Sequence, residues 1–174
     1  VCVGGGEGGA GGDARGALPV TCRAGSARRA VAGGGAGDGV RLIGAGGGPA
    51  DGGVRWTRLG GPRGGAEAEL PEGWRRDPLL PEAYVIPGGF ALEDSASWAR
   101  GLAMGQSRAS QLVGHVVDPK PTERILDLCA APGAKATHLA ALAGGGARMT
   151  AVELRPARAR SLRELARRMG APME

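Results

Sequence analysis

The chain has 174 residues and a formal net charge of +5, from 22 Lys and Arg against 17 Asp and Glu. It has no run of 18 apolar residues, which excludes a membrane-spanning helix, and no apolar segment of the secretory type at its N-terminus. The three cysteines, Cys2, Cys22 and Cys129, form no CxxC pair, so neither a zinc ribbon nor a disulfide scaffold is supported. We therefore expect a cytoplasmic, mildly basic protein that is monomeric and holds no metal.

Residues 1–65 differ in composition from the remainder, because they contain 24 of the 35 glycines. Few large apolar residues accompany them, so this stretch cannot bury enough apolar surface to offset its chain entropy. We expect residues 1–65 to be disordered, or to be misassigned upstream translation. The alternative is a glycine- and arginine-rich tail that binds nucleic acid.

The first regular elements are predicted after residue 66. Ala83–Ile86 is predicted to be a strand, and the prolines at 81 and 87 favour a place at the edge of a sheet. Residues 95–100 are expected to form one helical turn capped by Asp94 or Ser95. Ser107 is expected to cap a helix over 108–117, whose apolar face consists of Leu112, Val113, Val116 and Val117.

Residues 124–170 show the most regular pattern. A short apolar strand, Arg124–Leu128, leads through a tight loop over 129–135 into a helix, Ala136–Ala143, with Leu139 and Leu142 facing inward. A second strand, Arg148–Leu154, is followed by a helix from Pro156 to Met169, which Gly170 ends. The order strand, helix, strand, helix predicts an α/β fold, the opening of a doubly wound parallel sheet.

The loop over 129–135 is the candidate ligand site, because it joins the carboxyl end of a strand to a helix N-terminus. Neither GxGxxG nor GxxxxGK[ST] is present, so a nucleoside without phosphates is favoured over a dinucleotide or a nucleoside triphosphate. Glu153 follows Gly133 by 20 residues and could accept hydrogen bonds from both ribose hydroxyls. S-adenosylmethionine meets these requirements, since it has a ribose, an adenine and a methionine end but no phosphate.

Three stretches then resemble one family of enzymes. Residues 126–135, LDLCAAPGAK, resemble motif I, DLCAAPGGK, of the RsmB/Sun-type RNA cytosine-5 methyltransferases. Residues 105–113 resemble the stretch with glutamine and serine that lies just upstream of this motif. Glu153 and Arg158 match the acid of the second motif and the arginine five residues on. The resemblance covers about residues 75–174.

The resemblance implies a Rossmann-like domain that transfers a methyl group from S-adenosylmethionine to cytosine C5 in RNA, ribosomal RNA in particular. It implies that residues 66–105 end an N-terminal RNA-binding subdomain and that 106–174 form the first half of the methyltransferase domain. The implied cofactor-binding residues are Cys129, Ala130, Ala131, Pro132, Gly133, Ala134, Lys135, Glu153 and Arg158. Asp127 borders the pocket and bonds loop amides.

The resemblance also sets expectations about catalysis. Ala134, Ser107 and Glu153 replace a glycine and two aspartates that are usual in the family. Its two catalytic cysteines lie after the fourth and fifth strands, beyond the residues present here, and Cys129 belongs to the cofactor loop. We therefore expect no catalytic nucleophile in these 174 residues and no methyl transfer by them alone.

The remaining polar residues are assigned as follows. Arg158 lies on the apolar face of its helix near the ligand and is expected to be functional, whereas His115 and His138 are expected to be structural. Gln106 and Ser110 could equally act in helix capping or beside the target base. Two other functions stay open: a catalytically inactive remnant that binds the cofactor or RNA, and a nucleotide-dependent enzyme of another class.

Overall fold

The computed structural model describes residues 2–4, 52–57, 59 and 69–174, and these residues form two sheets. Four short antiparallel strands make the first sheet, in the order β3-β4-β2-β5. These strands are β2 (Gly52–Trp56), β3 (Arg75–Arg76), β4 (Ala83–Ile86) and β5 (Ala103–Gly105). A short helix, α1 (Ala96–Ala99), precedes β5, and the Ser95 side chain caps it by accepting from the Trp98 amide, as predicted.

Strand β2 lies inside the glycine-rich stretch 1–65, where composition predicted no order. Val54 and Trp56 point to one face of the sheet and are almost fully buried, in a core shared with Tyr84, Ile86, Leu92 and Ala103. The strand differs from its surroundings because it alternates apolar side chains with the period of two that a sheet requires. Apart from 2–4, 52–57 and 59, residues 1–65 lie outside the described part of the chain, so the domain division at 65 and 105 stays a prediction.

Strand β4 occupies the interior of the antiparallel sheet, so the prediction of an edge strand was wrong. It pairs with β3 on one side and with β2 on the other, in a register that sets Tyr84 opposite Val54. Pro81 and Pro87 lie outside the strand, where neither removes a hydrogen bond of the ladder.

The second sheet begins the predicted α/β fold. Strands β6 (Arg124–Asp127) and β7 (Arg148–Ala151) pair in parallel, with Asp127 opposite Ala151. Strand β1 (Cys2–Gly4) pairs with β6 in the antiparallel direction. Helix α2 (Arg108–Val117) precedes β6, α3 (Ala134–Leu142) connects the two parallel strands, and α4 (Pro156–Arg168) follows β7. Every element predicted over 124–170 is thus confirmed, with ends that agree to within three residues.

Helix α2 begins after Ser107, as predicted, but it buries a different face from the one expected. Its buried residues are Gln111 and Gly114, whereas Leu112 is 38% exposed. A side chain at position 114 would come within 2.7 Å of the His138 ring. The glycine therefore lets α2 approach α3 closely, and this contact turns the valines of α2 partly toward solvent.

The main core lies between the parallel strands and their helices. It is built around fully buried Ile125, Leu139, Met149 and Met169, with small alanines filling the remaining space. The close packing at these positions is what holds the carboxyl ends of β6 and β7 side by side. In the described part of the chain, no helix has the length and apolarity needed to cross a membrane.

We expect Trp56→Ala to lower the free energy of unfolding by about 3–5 kcal/mol, since it removes a large buried side chain from the sheet core. Trp56 is 4% exposed and meets Tyr84 edge to face at 6.4 Å. Urea denaturation would measure the change, with Leu79→Ala at a 73% exposed position as the control. Equal stability of Trp56→Ala and the unmodified chain would show that β2 is not part of the folded core.

Candidate cofactor-binding site

The loop between β6 and α3 is held at its start by hydrogen bonds from two backbone amides. The Asp127 carboxylate accepts a hydrogen bond from the Cys129 amide at 3.2 Å, and the Ala130 amide donates to the Val152 carbonyl at 3.1 Å. The Ala131–Pro132 peptide is cis. Gly133 is the N-cap of α3, and no side chain caps this helix end. The first amides of α3 are therefore available to a ligand.

Gly133 is required by both its conformation and its surroundings. Its φ of 115° lies in the left-handed region, which favours glycine. A Cβ at this position would lie 2.9 Å from Leu162 Cδ1 and 3.1 Å from Leu165 Cδ2, both on α4. The loop thus rests directly on α4, without space for a side chain at the bend.

Arg158 connects the loop with the acid that follows the second parallel strand. Its Nη2 donates to the Ala131 carbonyl at 2.7 Å, and its Nη1 lies 3.4 Å from Glu153 Oε2. Glu153 Oε1 accepts from the Arg155 amide at 2.9 Å, whereas the buried Oε2 makes no hydrogen bond within the described part of the chain. The predicted residues Glu153, Arg158 and the loop are therefore brought together at one edge of the sheet.

Within the loop, the predicted site residues divide by exposure. Ala130, Ala131 and Gly133 are buried, and Ala134 is partly buried. The side chains that face solvent are those of Cys129, Pro132 and Lys135. The buried members shape the loop backbone, and the exposed members are placed to contact a ligand directly.

A cleft of about 590 Å³ lies between α4 and residues 171–174, and Glu153 contributes to its wall. Residues 129–135 do not line this cleft. The Glu174 amide donates to the Met149 carbonyl at 2.9 Å, and the Ala151 amide donates to the Glu174 carbonyl at 2.8 Å, so the far wall runs beside β7. The cleft therefore shares Glu153 with the candidate site but does not include the loop.

A buried polar cluster lies behind the loop, and no local pattern in the sequence predicted it. Glu82 Oε1 accepts hydrogen bonds from His115 Nε2 at 2.6 Å and His138 Nε2 at 2.7 Å. Arg55 of β2, which is fully buried, donates to the Thr137 hydroxyl at 2.9 Å. The cluster joins residues up to 82 positions apart, so no local pattern could predict it.

Charge in the cluster is balanced between one acid and one base. Burial alone would raise the pKa of Glu82, but the hydrogen bonds from His115 and His138 outweigh it and hold that pKa well below its usual range. Burial lowers the pKa of Arg55 to about 10, which leaves it charged at neutral pH. Burial also lowers the pKa of His138, although Glu82 opposes this. Neutral His138 is thus the donor to an ionised Glu82.

Comparison with known proteins agrees with these features. The family described as 16S rRNA methyltransferase RsmB/F matches residues 114–173. The 25S rRNA (cytosine-C(5))-methyltransferase NSUN5 of Arabidopsis thaliana is 34% identical over 97 residues, which are 56% of this chain and 17% of that protein. The probable ribosomal RNA small subunit methyltransferase B of Bacillus subtilis is 30% identical over 105 residues, covering 54% of this chain and 24% of that protein.

A solved structure, that of a methyltransferase homologue from Pyrococcus horikoshii, shares the fold. It superposes with a TM-score of 0.62 at 23% identity, over 73% of this chain and 43% of the other. The parallel strands, the glycine loop and the acid after β7 form part of a Rossmann-like fold. Through residues 114–173, the chain is similar to the RsmB/F family of 16S rRNA methyltransferases and to relatives named as ribosomal RNA methyltransferases. It spans between 17% and 24% of the length of the two curated relatives named above.

We expect the stability of the protein to fall as the pH decreases below about 6.5, because of His138. Its pKa is lowered in the folded state, so the unfolded chain takes up a proton that the folded chain does not, and this favours unfolding. His138→Gln keeps a donor near Glu82 but does not titrate.

Urea denaturation at about pH 7.5 and pH 5.5 measures this effect. The loss of unfolding free energy between the two should be smaller in His138→Gln by roughly 1 kcal/mol. Glu82 stays ionised at both values, and Arg55 stays charged. Equal losses in the two proteins would contradict a neutral, buried His138.

Proposed function

We propose that the chain carries the cofactor-binding part of an RNA cytosine-5 methyltransferase and that its cofactor is S-adenosylmethionine. The observation that supports this most directly is the linkage of the loop over 129–135 to Glu153 by the Arg158 guanidinium. A single ligand that reaches both the loop and Glu153 needs one polar group for the loop and another for the carboxylate. A nucleoside with a zwitterionic side chain has both groups.

The residues present fit this cofactor. Glu153 Oε2 is buried and, among the residues that the structure describes, has only the ion pair with Arg158 at 3.4 Å and no hydrogen bond, so a ribose hydroxyl would supply a hydrogen-bond donor. The uncapped N-terminus of α3 has free amides and a partial positive charge, which suit the carboxylate of the methionine end. Lys135 is exposed in the first turn of α3 and adds a full positive charge there. When bound, S-adenosylmethionine supplies an electrophilic methyl group.

The proposed substrate is RNA, with ribosomal RNA as the first candidate. Two of the named relatives are ribosomal RNA methyltransferases by name. The net charge of +5 agrees with a polyanionic partner. The assignment of residues 66–105 to the end of an RNA-binding subdomain, a cytoplasmic location and a monomeric state remain predictions that accompany this proposal.

Cys129 is assigned to the cofactor loop and not to catalysis. Activation of cytosine C5 requires a thiolate that attacks C6. The Cys129 amide is held by Asp127, so this residue sits where the loop leaves β6, beside the proposed cofactor site. We infer that the nucleophile is not among these residues. An inactive protein that binds the cofactor or RNA is therefore the second candidate function.

Glu153→Gln should weaken binding of S-adenosylmethionine by about 1–3 kcal/mol, because an amide cannot accept two hydroxyl hydrogen bonds as a carboxylate does. Isothermal titration calorimetry with the 174-residue chain measures this. Glu164→Gln, an exposed acid on α4, is the matched control. Titrations with NAD and ATP test the rival class of enzyme, which tighter binding of either nucleotide would favour. An unchanged affinity in Glu153→Gln would remove this residue from the site.

The chain alone should transfer no methyl group to RNA, because Cys129, the cysteine whose side chain the structure describes, lies in the proposed cofactor loop and not where it could form the covalent adduct. An assay with tritiated S-adenosylmethionine and unmodified ribosomal RNA tests this, with a full-length relative such as the Bacillus subtilis enzyme as the positive control. Incorporation by the chain that disappears in Cys129→Ser would reverse the assignment of Cys129.

A further inference from the structure

Two buried links connect the antiparallel sheet to helix α3, and neither belongs to the proposed cofactor site. The first runs from Arg55 of β2 to the Thr137 hydroxyl, which itself donates to the Gly133 carbonyl at 2.9 Å. The second joins Glu82, just before β4, to His138. Thr137 and His138 are consecutive residues in the second turn of α3, directly after the loop.

The first link reaches the bend of the loop itself. Gly133 is the residue with positive φ at the start of α3, and its carbonyl accepts from both the Thr137 amide and the Thr137 hydroxyl. A threonine hydroxyl has one proton to donate. The Gly133 carbonyl is the nearer of its two acceptors, since the Ala134 carbonyl lies 3.3 Å away. With the proton directed at Gly133, the hydroxyl lone pairs face the Arg55 guanidinium, and this charged donor stabilises that orientation.

We propose that the antiparallel sheet holds the loop over 129–135 in its shape through Arg55, which acts on Gly133 by way of the Thr137 hydroxyl. Arg55 is thus a positioning residue, and Glu82 supports it by anchoring the next residue of α3. The proposal rests on the proposed function only in treating this loop as the place where cofactor binds.

Position and burial favour this role over simple packing. Arg55 is fully buried, and its Nε and Nη1 make no hydrogen bond among the described residues. A buried guanidinium with so few partners is costly. An apolar side chain would fill the same space without that cost, so the value of Arg55 lies in its strong hydrogen bond to Thr137 and in its charge beside Glu82.

A metal ion shared by Glu82, His115 and His138 is the competing interpretation, since their ligand atoms lie within 4.8 Å of one another. Two facts favour hydrogen bonds. The nitrogen-to-oxygen distances of 2.6 and 2.7 Å are those of charge-assisted hydrogen bonds. The positive charge of Arg55 acts on both Glu82 and His138, so a divalent cation would add positive charge to a site that is already balanced.

The test compares Thr137→Val, which removes the hydroxyl with little change of shape, with Thr137→Ser, which keeps it. Amide hydrogen exchange without any ligand reads the loop at the Ala130 amide and the start of α3 at the Thr137 amide, and the Gln106 amide, which donates to Gly53 of β2, serves as reference. Thr137→Val should speed exchange at positions 130 and 137 relative to Gln106, and Thr137→Ser should restore it.

Arg168→Gln is the matched control. Arg168 also joins the antiparallel sheet to the α/β half, by donating to the Trp98 carbonyl at 2.7 Å and stacking on the Trp98 ring, but it does not contact the loop. Arg168→Gln should lower the free energy of unfolding without a selective change of amide exchange at the loop. A selective change in Arg168→Gln, or none in Thr137→Val, would overturn the proposal.

Arg55→Met and the double variant with Thr137→Val test whether the two residues act as one unit. If they do, the double variant exchanges no faster at the loop than Thr137→Val alone. Additive effects would overturn the link. Thr137→Val should also weaken S-adenosylmethionine binding roughly tenfold, the effect of losing one strong hydrogen bond, and Thr137→Ser should bind like the unmodified chain.

The remaining outcomes separate the two proposals. Failure of the unmodified chain to bind S-adenosylmethionine would count against the proposed function, while the exchange comparison would still decide whether Arg55 shapes the loop. Faster loop exchange with unchanged cofactor affinity would overturn the positioning role. Stoichiometric zinc binding that is lost in His138→Gln would overturn the assignment of Glu82 as a hydrogen-bond acceptor.

Discussion

The Glu82 carboxylate is buried between α2, α3 and the antiparallel sheet. Its interactions hold the antiparallel half of the chain against the α/β half. An isolated carboxylate in such a place would cost several kcal/mol. Here it is offset by donors from α2 and α3 and by the nearby charge of Arg55. Each of these partners comes from a different element. The sheet, α2 and α3 must therefore all be in place before the carboxylate is satisfied, which makes their association cooperative.

Two glycines lie where elements pack most closely. Gly114 of α2 lacks a side chain, and the His138 ring of α3 occupies that space. Gly101, in the turn before β5, has a φ of 71°, and a Cβ there would clash with the Arg168 carbonyl at the end of α4. Helix α2 thus approaches α3 at one glycine, and the antiparallel half approaches α4 at the other. Both approaches exclude side chains larger than hydrogen.

The sequence predicted the α/β half well, because its signals are local. Pro156 at the start of α4, Gly170 after its end and the apolar run before Cys129 each lie within the element that they define. The candidate site follows from the same segment, through the motif over 126–135 and Glu153. Each of these signals lies within a short segment of the sequence.

The antiparallel half could not be predicted in the same way. Strand β2 is five residues long and lies in a glycine-rich stretch, so average composition hides it. The hydrogen bond from Arg55 to Thr137 spans 82 residues, and only the folded chain brings the two together. The place of β4 in the sheet interior depends on β2, so missing the first strand led directly to the error about the second.

The alanines of the loop matter for their small size, since they have no functional group to offer a ligand. Ala130 and Ala131 are about as buried as the core, and Gly133 rests on two leucines of α4. Packing against the core and against α4 leaves no room for larger residues at these three positions. The backbone path of the loop is therefore determined by packing. Cys129, Pro132 and Lys135 face solvent and are free of that restriction. Mutational tolerance in the loop is therefore confined to these three positions, where charge and polarity toward a ligand can change while the backbone stays in place.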